Sequence, residues 1–305
     1  MINPTQLNRP AFLLNAPFSY STDVANNVWM EELDATKRVP DRAKAFVQFF
    51  ELYDYLAGEA LVYVLPTPRV AGLQDLVFTA NLGIVLEHVA DKNTVVISNY
   101  TSEPRRSETE VGVSFFRSMG YEVYVSPAKF EGEAELKHLR DNTYVGGYGL
   151  RSDRAAYDWM ERTFDMKVVT MQMTDPYLYH LDCSIFPLTK ESTLVCTEMY
   201  DEKELNELEK YTEVIDVPAS AAYSGLCNSV RLHNVILNSS HIHELKSGSD
   251  DYRQEIAKNR LLEDIASTHA FEVSYVNLSE YHKGGALLSC MVMHLNRKSY
   301  EFQLM

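Results

Sequence analysis

Short apolar segments of strand length alternate with amphipathic segments along the whole chain, and this pattern constrains the fold more than any other feature. The strand-like segments are rich in β-branched and aromatic residues, which favour strands. They lie at residues 60–65, 94–98, 122–126, 167–171, 192–196, 235–238 and 272–276. Helices are predicted between them, at residues 41–57, 107–119, 153–164, 201–211 and 250–270. This alternation predicts an α/β fold.

The chain shows no sign of a domain boundary. No linker rich in glycine, serine or proline divides the sequence, and it contains no low-complexity tract. A length of 305 residues fits one large α/β domain. We therefore predict a single domain over residues 1–305. Asp41 precedes the first helical segment and is predicted to cap its amino end.

The formal net charge of −15 argues against nucleic acid and anionic membranes as partners. No stretch reaches the ~18–20 apolar residues that a membrane-spanning helix needs. The amino-terminal residues lack the basic and apolar regions of a signal peptide. We expect a cytoplasmic protein. Its acidity is compatible with a cationic substrate, although an acidic soluble protein of any function would share it.

Four cysteines are spread over the carboxyl-terminal half, and none forms a Cys-x-x-Cys pair. They are Cys183, Cys196, Cys227 and Cys290. This spacing argues against a zinc ribbon or a thioredoxin motif. Gly284 and Gly285 lead into an apolar strand that contains Cys290, and glycines permit the sharp turns by which a cysteine could face a cleft. A buried structural cysteine is the alternative.

Charged residues also stand in the middle of otherwise apolar segments. His180 and Asp182 are two residues apart, so in a strand they would share one face. They form either a functional pair or a hydrogen-bonded core histidine with its partner. Glu131 opens the segment Glu-Gly-Glu-Ala-Glu. The alternative to a functional role for this segment is a solvated acidic turn.

Two glycine-containing segments complete the set of motifs. The segment 72–81 could form a strand or a turn, and a turn could bring Asp75 and Asn81 to one pocket. The run Gly-Gly-Tyr-Gly-Leu-Arg ends at Arg151, before a helix capped by Ser152 or Asp153. It lacks the Gly-Lys-Ser/Thr ending of a phosphate-binding loop.

The order of these motifs resembles that of the guanidino-group-modifying (pentein) superfamily. The order is Asp-x-x-Phe-x-x-Asn, Phe-Glu-Gly, Gly-x-Gly-x-Arg-Ser, His-x-Asp, Cys-Asn and Gly-Gly followed by Cys, over roughly residues 10–295. The superfamily contains arginine deiminase, dimethylarginine dimethylaminohydrolase and glycine amidinotransferase. The resemblance implies a five-bladed α/β propeller around a central pocket. It implies a small guanidino substrate and no metal or organic cofactor, and it is compatible with a homo-oligomer.

The resemblance also implies catalytic roles for three residues. Cys290 matches the nucleophile, and His180 matches the general acid and base. Glu131 matches the carboxylate that orients this histidine. Cys227, in Ser-Gly-Leu-Cys-Asn, matches a structural segment and is expected to be inert.

Further positions match substrate contacts. Asp182 and Asp75 match groups that bind the guanidinium, and Phe78 matches a wall of the pocket. Arg151 and Arg105 match positions that can hold a substrate carboxylate. These residues are therefore expected around one cavity.

Asn81 distinguishes branches of the superfamily. Phe-Thr-Ala-Asn, which ends at Asn81, resembles the arginine dihydrolases, which convert arginine to ornithine, carbon dioxide and two ammonia. Dimethylarginine hydrolases carry an aspartate there. Asn26-Asn27-Val28-Trp29-Met30 resembles the dihydrolase motif in part, with Val28 replacing a proline. We therefore expect an arginine dihydrolase.

Other activities of the superfamily are the alternatives: dimethylarginine dimethylaminohydrolase, arginine deiminase, citrulline hydrolase or amidinotransferase. A catalytically silent binding protein is the alternative outside enzymes. One departure favours it. The family pattern Glu-Gly-x-Gly-Asp is replaced by Glu-Gly-Glu-Ala-Glu from Glu131 onward, and loss of the second glycine is expected to shift that turn.

Overall fold

The computed structural model describes residues 4–90 and 93–302, which contain fifteen strands and nine helices. The strands are β1 Ala11–Leu14, β2 Leu61–Val64, β3 Gly83–Val85, β4 Thr94–Ile97, β5 Glu122–Val125, β6 Leu136–Arg140, β7 Thr143–Tyr148, β8 Lys167–Gln172, β9 Ile185–Pro187, β10 Ser192–Val195, β11 Glu213–Asp216, β12 Val230–Leu232, β13 Val235–Ser239, β14 Glu272–Val276 and β15 Met293–His294. The helices are α1 Val28–Glu32, α2 Ala35–Arg38, α3 Arg42–Glu59, α4 Glu108–Ser118, α5 Arg154–Phe164, α6 Glu202–Leu208, α7 Ala219–Tyr223, α8 Asp250–Thr268 and α9 Ser279–His282. Each of the seven strand-like segments and five helical segments predicted from the alternating pattern is present.

The long helices begin where the sequence supplies a capping side chain. The Asp41 carboxylate accepts a hydrogen bond from the backbone N–H of Lys44 at 3.1 Å, as predicted for the start of α3. At the start of α6, Asp201 and Glu204 form a reciprocal capping box. These caps satisfy backbone N–H groups that have no partner inside the helix.

The described strands form five three-stranded sheets of one design. In four of them an antiparallel hairpin is followed by a helix and by a third strand parallel to the second; these sheets are β3-β4-β5, β6-β7-β8, β9-β10-β11 and β12-β13-β14. The fifth sheet pairs β1 antiparallel with β15 and parallel with β2, so segments near both ends of the described chain share it. The α/β prediction is confirmed.

The hairpin strands carry the core, and the parallel third strands lie nearer the surface. All residues of β1, β4 and β10 are buried, whereas β5 and β11 are exposed at both ends. The apolar surface that these buried strands remove from water contributes about 25 cal/mol per Å² to the stability of the fold. Within residues 4–90 and 93–302, no helix has the length and apolar character needed to span a bilayer.

In every sheet a turn precedes the edge strand that pairs antiparallel with its neighbour, namely β3, β6, β9, β12 and β15. These turns and the residues beside them include most of the chemically important residues. Four are 3-10 turns, at Thr79–Asn81, Gly132–Ala134, Leu181–Cys183 and Ser289–Met291, and a bend at residues 226–228 precedes β12.

Two strand predictions are therefore wrong. His180 and Asp182 do not lie on a strand, because backbone bonds such as Cys183 N–H to His180 C=O at 3.1 Å close a turn there. Cys290 likewise lies in a turn before β15. In both places the apolar residues that follow form the strand, while the turn directs polar side chains away from the sheet.

Candidate active site

The turns converge on a small cavity of about 10 Å³. It is lined by Asn26, Asn27, Asp75, Phe78, Asn81, Arg105, Arg151, Tyr179, His180, Gly284, Ala286 and Cys290. Of the predicted site residues, Glu131 and Asp182 do not line the cavity, and both lie directly behind residues that do. Because the residues come from segments far apart in sequence, the fold, and not any local motif, assembles the site.

His180 is held by Glu131. Its Nε2 lies 2.8 Å from Glu131 Oε2, and both side chains are buried. Burial lowers the pKa of His180, and the Glu131 carboxylate offsets this only in part. Burial raises the pKa of Glu131, but the hydrogen bond from His180 and the charge of Arg151 outweigh it and lower that pKa to about 2. A neutral His180 that donates from Nε2 to the ionised Glu131 leaves Nδ1 as its basic nitrogen.

The altered turn still brings Glu131 to His180. Gly132 has φ +65°, and a Cβ there would lie 2.5 Å from the Ala80 carbonyl oxygen, so this glycine is required. Ala134, in place of the second family glycine, is fully buried. Glu133 accepts a hydrogen bond from the backbone N–H of His294 at 2.8 Å, which ties the turn to β15. The expected displacement of Glu131 from its histidine is therefore not observed.

Cys290 is buried and has polar groups on two sides. Asn228 Nδ2 donates to its sulfur at 3.4 Å, and Asp182 Oδ2 lies 3.6 Å from the same atom. Burial and the neighbouring Asp182 carboxylate raise the pKa of the thiol to about 12. In the empty site the cysteine is therefore a thiol, and a nearby positive charge would be needed to ionise it.

Asp182 stands behind the nucleophile and not in the cavity wall. Its Oδ2 accepts a hydrogen bond from the Ser289 hydroxyl at 2.6 Å, and its side chain is fully buried. Asp182 thus contacts Ser289 and Cys290 and does not itself line the cavity. The role of Asp182 in substrate binding stays a prediction.

Asp75 lines the cavity and has one carboxylate oxygen without a hydrogen-bond partner among the described residues. Its Oδ2 accepts from Asn26 Nδ2 at 2.6 Å and from Gln74 Nε2 at 3.1 Å, whereas within residues 4–90 and 93–302 the buried Oδ1 has no partner. Burial raises the pKa of Asp75, although Arg105 counteracts it. A buried acceptor left unsatisfied is costly, so this position favours a ligand that donates hydrogen bonds and carries positive charge. The turn alternative for Asp75 and Asn81 is the observed one.

Asn81 and Phe78 border the same cavity from one 3-10 turn. Asn81 Nδ2 lies 3.4 Å from His180 Nε2. The Phe78 ring packs edge-on against Tyr20, with centroids 5.8 Å apart. An uncharged amide therefore occupies a position beside the histidine, where it can hydrogen-bond a neutral group or a cation.

The two arginines differ in how far they are already engaged. Arg105 forms a buried ion pair with Glu108 at 2.7 Å, and its guanidinium lies over the Tyr100 ring. Arg151 lies 3.8 Å from Glu131 and over the Tyr179 ring, and it donates to the Asn26 backbone carbonyl. Arg151 therefore retains more capacity for a substrate carboxylate, while Arg105 also supports the turn that carries Asp75. Both roles stay predictions.

Sequence reasoning gave no role to several residues around the cavity. Tyr179 stacks beneath Arg151 and donates from its hydroxyl to the Gly285 carbonyl at 2.7 Å. Asn27 caps α1 and donates to the Gly284 carbonyl at 3.0 Å, which joins two walls of the cavity. Asn228 was placed in a structural segment. The only indication of Asn228 in the sequence is its position as a polar residue shortly before a strand, which it shares with residues of the other turns.

These groups together can perform nucleophilic substitution at a planar, cationic carbon. A buried thiol supplies the nucleophile, a histidine held by a carboxylate transfers protons, and a second carboxylate is available to a cation. Among the described residues all four cysteines are free, and Cys290 alone of the four lines this cavity.

Comparison with known proteins agrees with this chemistry. The sequence model of the family described as N,N dimethylarginine dimethylhydrolase, eukaryotic, matches residues 16–297. The bifunctional arginine dihydrolase/ornithine cyclodeaminase AgrE of Nostoc sp. is 27% identical over 294 residues, which are 94% of this chain and 38% of AgrE. The N(G),N(G)-dimethylarginine dimethylaminohydrolase of Mycobacterium tuberculosis is 28% identical over 176 residues, 57% of this chain and 54% of that protein. The chain thus spans only about 38% of the length of AgrE.

Solved structures show the same fold. The amino-terminal domain of ArgZ, in a variant covalently bound to a reaction intermediate, superposes with a TM-score of 0.80 at 25% identity. The match covers 94% of this chain and 97% of that domain. ArgZ is the corresponding bifunctional protein of Synechocystis sp.. The pentein fold prediction, with its five repeated sheets, is confirmed.

Proposed function

Because this chain belongs to the N,N-dimethylarginine dimethylhydrolase family, hydrolases that act on guanidino C–N bonds, we propose that it is an arginine dihydrolase. The reaction would be arginine plus two water to ornithine, carbon dioxide and two ammonia. The observation that carries this proposal is the combination, in one cavity, of a buried thiol, a His180–Glu131 pair, the unpartnered Asp75 oxygen and the uncharged Asn81. A single domain over residues 1–305, a cytoplasmic location and a homo-oligomer stay predictions.

The first half of the proposed reaction removes one ammonia. The Cys290 thiol gives its proton to His180, and the thiolate attacks the guanidinium carbon. His180 then passes that proton to the departing nitrogen, which leaves as ammonia. The resulting thiouronium is covalently bound through sulfur. His180 then takes a proton from water, the hydroxide adds to the same carbon, and the C–S bond breaks to give a ureido product and free Cys290.

The second half repeats the sequence on the ureido group. Cys290 attacks the ureido carbon, a second ammonia leaves, and water hydrolyses the thiocarbamate to a carbamate, which releases carbon dioxide and ornithine. A deiminase would stop after the first half. The ureido group is neutral, so the second attack is harder than the first. A dihydrolase must therefore keep the ureido group bound beside Cys290.

Binding of a cation is expected to trigger ionisation of the thiol. The pKa of Cys290 is raised to about 12 because the sulfur is buried and Asp182 is negative. A guanidinium placed against these groups neutralises the local negative charge and favours the thiolate. The substrate therefore helps to generate its own nucleophile.

Product analysis tests the proposal directly. Purified protein is incubated with arginine, asymmetric dimethylarginine or citrulline, and ornithine, citrulline, dimethylamine and ammonia are quantified. We expect one ornithine and about two ammonia per arginine, as the proposed stoichiometry requires. Citrulline as the end product would instead identify a deiminase, and dimethylamine with citrulline would identify the dimethylarginine hydrolase that the family description favours.

Asn81→Asp should divert the product from ornithine to citrulline. An aspartate beside His180, where Asn81 Nδ2 lies 3.4 Å from the ring, binds the cationic guanidinium but offers no donor to a neutral ureido oxygen. We expect the citrulline-to-ornithine ratio to rise at least about tenfold, as for loss of one good hydrogen bond. Asn99→Asp, outside the cavity lining, is the control. An unchanged ratio would remove Asn81 as the branch-determining residue.

Asp75→Asn should weaken binding of the cationic substrate. The change keeps the size of the side chain but removes the negative charge beside the unpartnered oxygen. We expect KM for arginine to rise about ten- to a hundredfold, in line with loss of a charge-assisted hydrogen bond, and kcat to change less. Steady-state kinetics measure both, and a fall in kcat at constant KM would assign Asp75 to the chemical step instead.

A further inference from the structure

Asn228 occupies the bend before β12, the one turn of the five to which the mechanism above gives no residue. Its side chain is 3% exposed. Asn228 Nδ2 lies 3.4 Å from Cys290 Sγ, and Asn228 Oδ1 accepts a hydrogen bond from the backbone N–H of Ser289 at 2.8 Å. The side chain therefore contacts both the sulfur and the turn that carries it.

The orientation of the Asn228 amide follows from its surroundings. The Ser289 backbone N–H can only donate, so the amide atom that faces it must be the oxygen. The NH₂ group is then directed at Cys290, and the sulfur is the acceptor. Flipping the amide would place its NH₂ group against the Ser289 N–H, two donors facing each other. The oxygen therefore cannot be the atom 3.4 Å from the sulfur.

This donor opposes the groups that suppress ionisation of Cys290. Burial and the Asp182 carboxylate, 3.6 Å from the sulfur, disfavour the thiolate. A hydrogen bond to an ionised acceptor is about twice as strong as one between neutral groups. The bond from Asn228 therefore stabilises the thiolate more than the thiol and works with a bound cation.

We propose that Asn228 is a catalytic residue that donates a hydrogen bond to the Cys290 thiolate and, through Ser289, fixes the position of the sulfur. The inference rests on the proposed role of Cys290 as nucleophile and goes beyond it, because it assigns a donor to the reacting atom. After attack the sulfur is neutral and bonded to carbon, and the hydrogen bond from Asn228 to the sulfur then weakens. Asn228 thus acts mainly by increasing the fraction of Cys290 that is present as the thiolate.

A purely structural role for Asn228 has a matched control in Asn238. Asn238 Nδ2 donates to the carbonyl groups of Gly225 and Leu226 and to Ser229 Oγ, and so holds the same bend. Its hydrogen bonds go to this bend and not to the Cys290 sulfur. Changing Asn238 removes hydrogen bonds to the bend without removing the Asn228 amide.

The experiment measures alkylation of Cys290 by neutral iodoacetamide, with the modified peptide quantified by mass spectrometry between pH 6 and 9.5. Asn228→Asp retains an acceptor for Ser289 but replaces the donor by a negative charge, and Asn228→Ala removes the donor without adding charge. We expect alkylation about tenfold slower or more in both variants at a given pH, because its rate follows the thiolate fraction. Asn238→Ala should keep the wild-type profile within about twofold.

The result separates the two proposals. Wild-type alkylation profiles in both Asn228 variants would overturn the inference, whatever their turnover. Slow alkylation in Asn238→Ala as well would also overturn it, because it would show that any disturbance of the bend has this effect. Failure of the dihydrolase proposal would show differently, as a wild-type protein whose Cys290 is alkylated normally but which forms no ornithine.

Discussion

Replacing Cys290 by serine should reduce formation of ornithine and ammonia by at least about a thousandfold. The serine keeps the size of the side chain, and its hydroxyl can use the same contacts with Asn228 and Asp182. An alcohol is ionised far less readily than a thiol, and this site already raises the thiol pKa to about 12. The covalent intermediate therefore cannot form at a useful rate.

Two measurements make this result specific. The variant should still bind arginine, which isothermal titration detects, because the Asp75 oxygen and Arg151 are unchanged. Cys196→Ala is the matched control, since Cys196 is buried in the core on β10's carboxyl side and does not line the cavity. It should retain turnover within a few-fold after correction for stability. Full activity of Cys290→Ser would remove the cysteine mechanism altogether.

The sequence predicted the elements that repeat a strong local pattern. The seven predicted strands and five predicted helices each carry an uninterrupted apolar run or helical stripe, and α3 also carries its cap, Asp41. Of the eight strands that were not predicted, four are very short. Strands β3, β9 and β12 have three residues each, and β15 has two. Segments of that length have too few alternations for their periodicity to be read.

The site was predicted from motif order, and its geometry could not be. The turns that carry His180 and Cys290 were assigned to strands because apolar residues follow them directly in the sequence. Contacts such as Asn228 to Cys290 join residues 62 positions apart. Only the repeated arrangement of the sheets, with one turn before each, brings them together. The position of Asp182 behind the cavity wall likewise depends on packing between sheets.

The pairing of Arg105 with Glu108 illustrates the same limit. Sequence alone shows an arginine at a position that can hold a substrate carboxylate. The structure adds a buried acidic partner, and burial raises the pKa of Glu108 to about 7 even though Arg105 opposes this. The Arg105 guanidinium also donates to the Asp75 backbone carbonyl at 3.2 Å. Arg105 therefore stabilises the wall of the cavity as well as being available to a substrate.

Glu131→Gln should lower kcat by about a hundredfold or more, the range typical for loss of general acid–base catalysis. In the wild type the carboxylate, 2.8 Å from His180 Nε2, raises the basicity of the ring against the effect of burial. A neutral glutamine removes that charge, so the pKa of His180 falls further. The limb of the pH–kcat profile that reports His180 should therefore move to lower pH, and KM should change little.

Glu133→Gln is the matched control, because it makes the same charge change two residues away in the same turn. Glu133 bonds to Arg297 and to the backbone of His294, with no contact to His180. Its loss should lower the melting temperature, since it leaves the buried Arg297 without its charged partner, but should keep the pH–kcat profile in place. If both variants lowered kcat equally without moving the His180 limb, Glu131 would support only the shape of the turn. A shift confined to Glu131→Gln would assign it the electrostatic role, because the two variants differ only in which buried charge they remove.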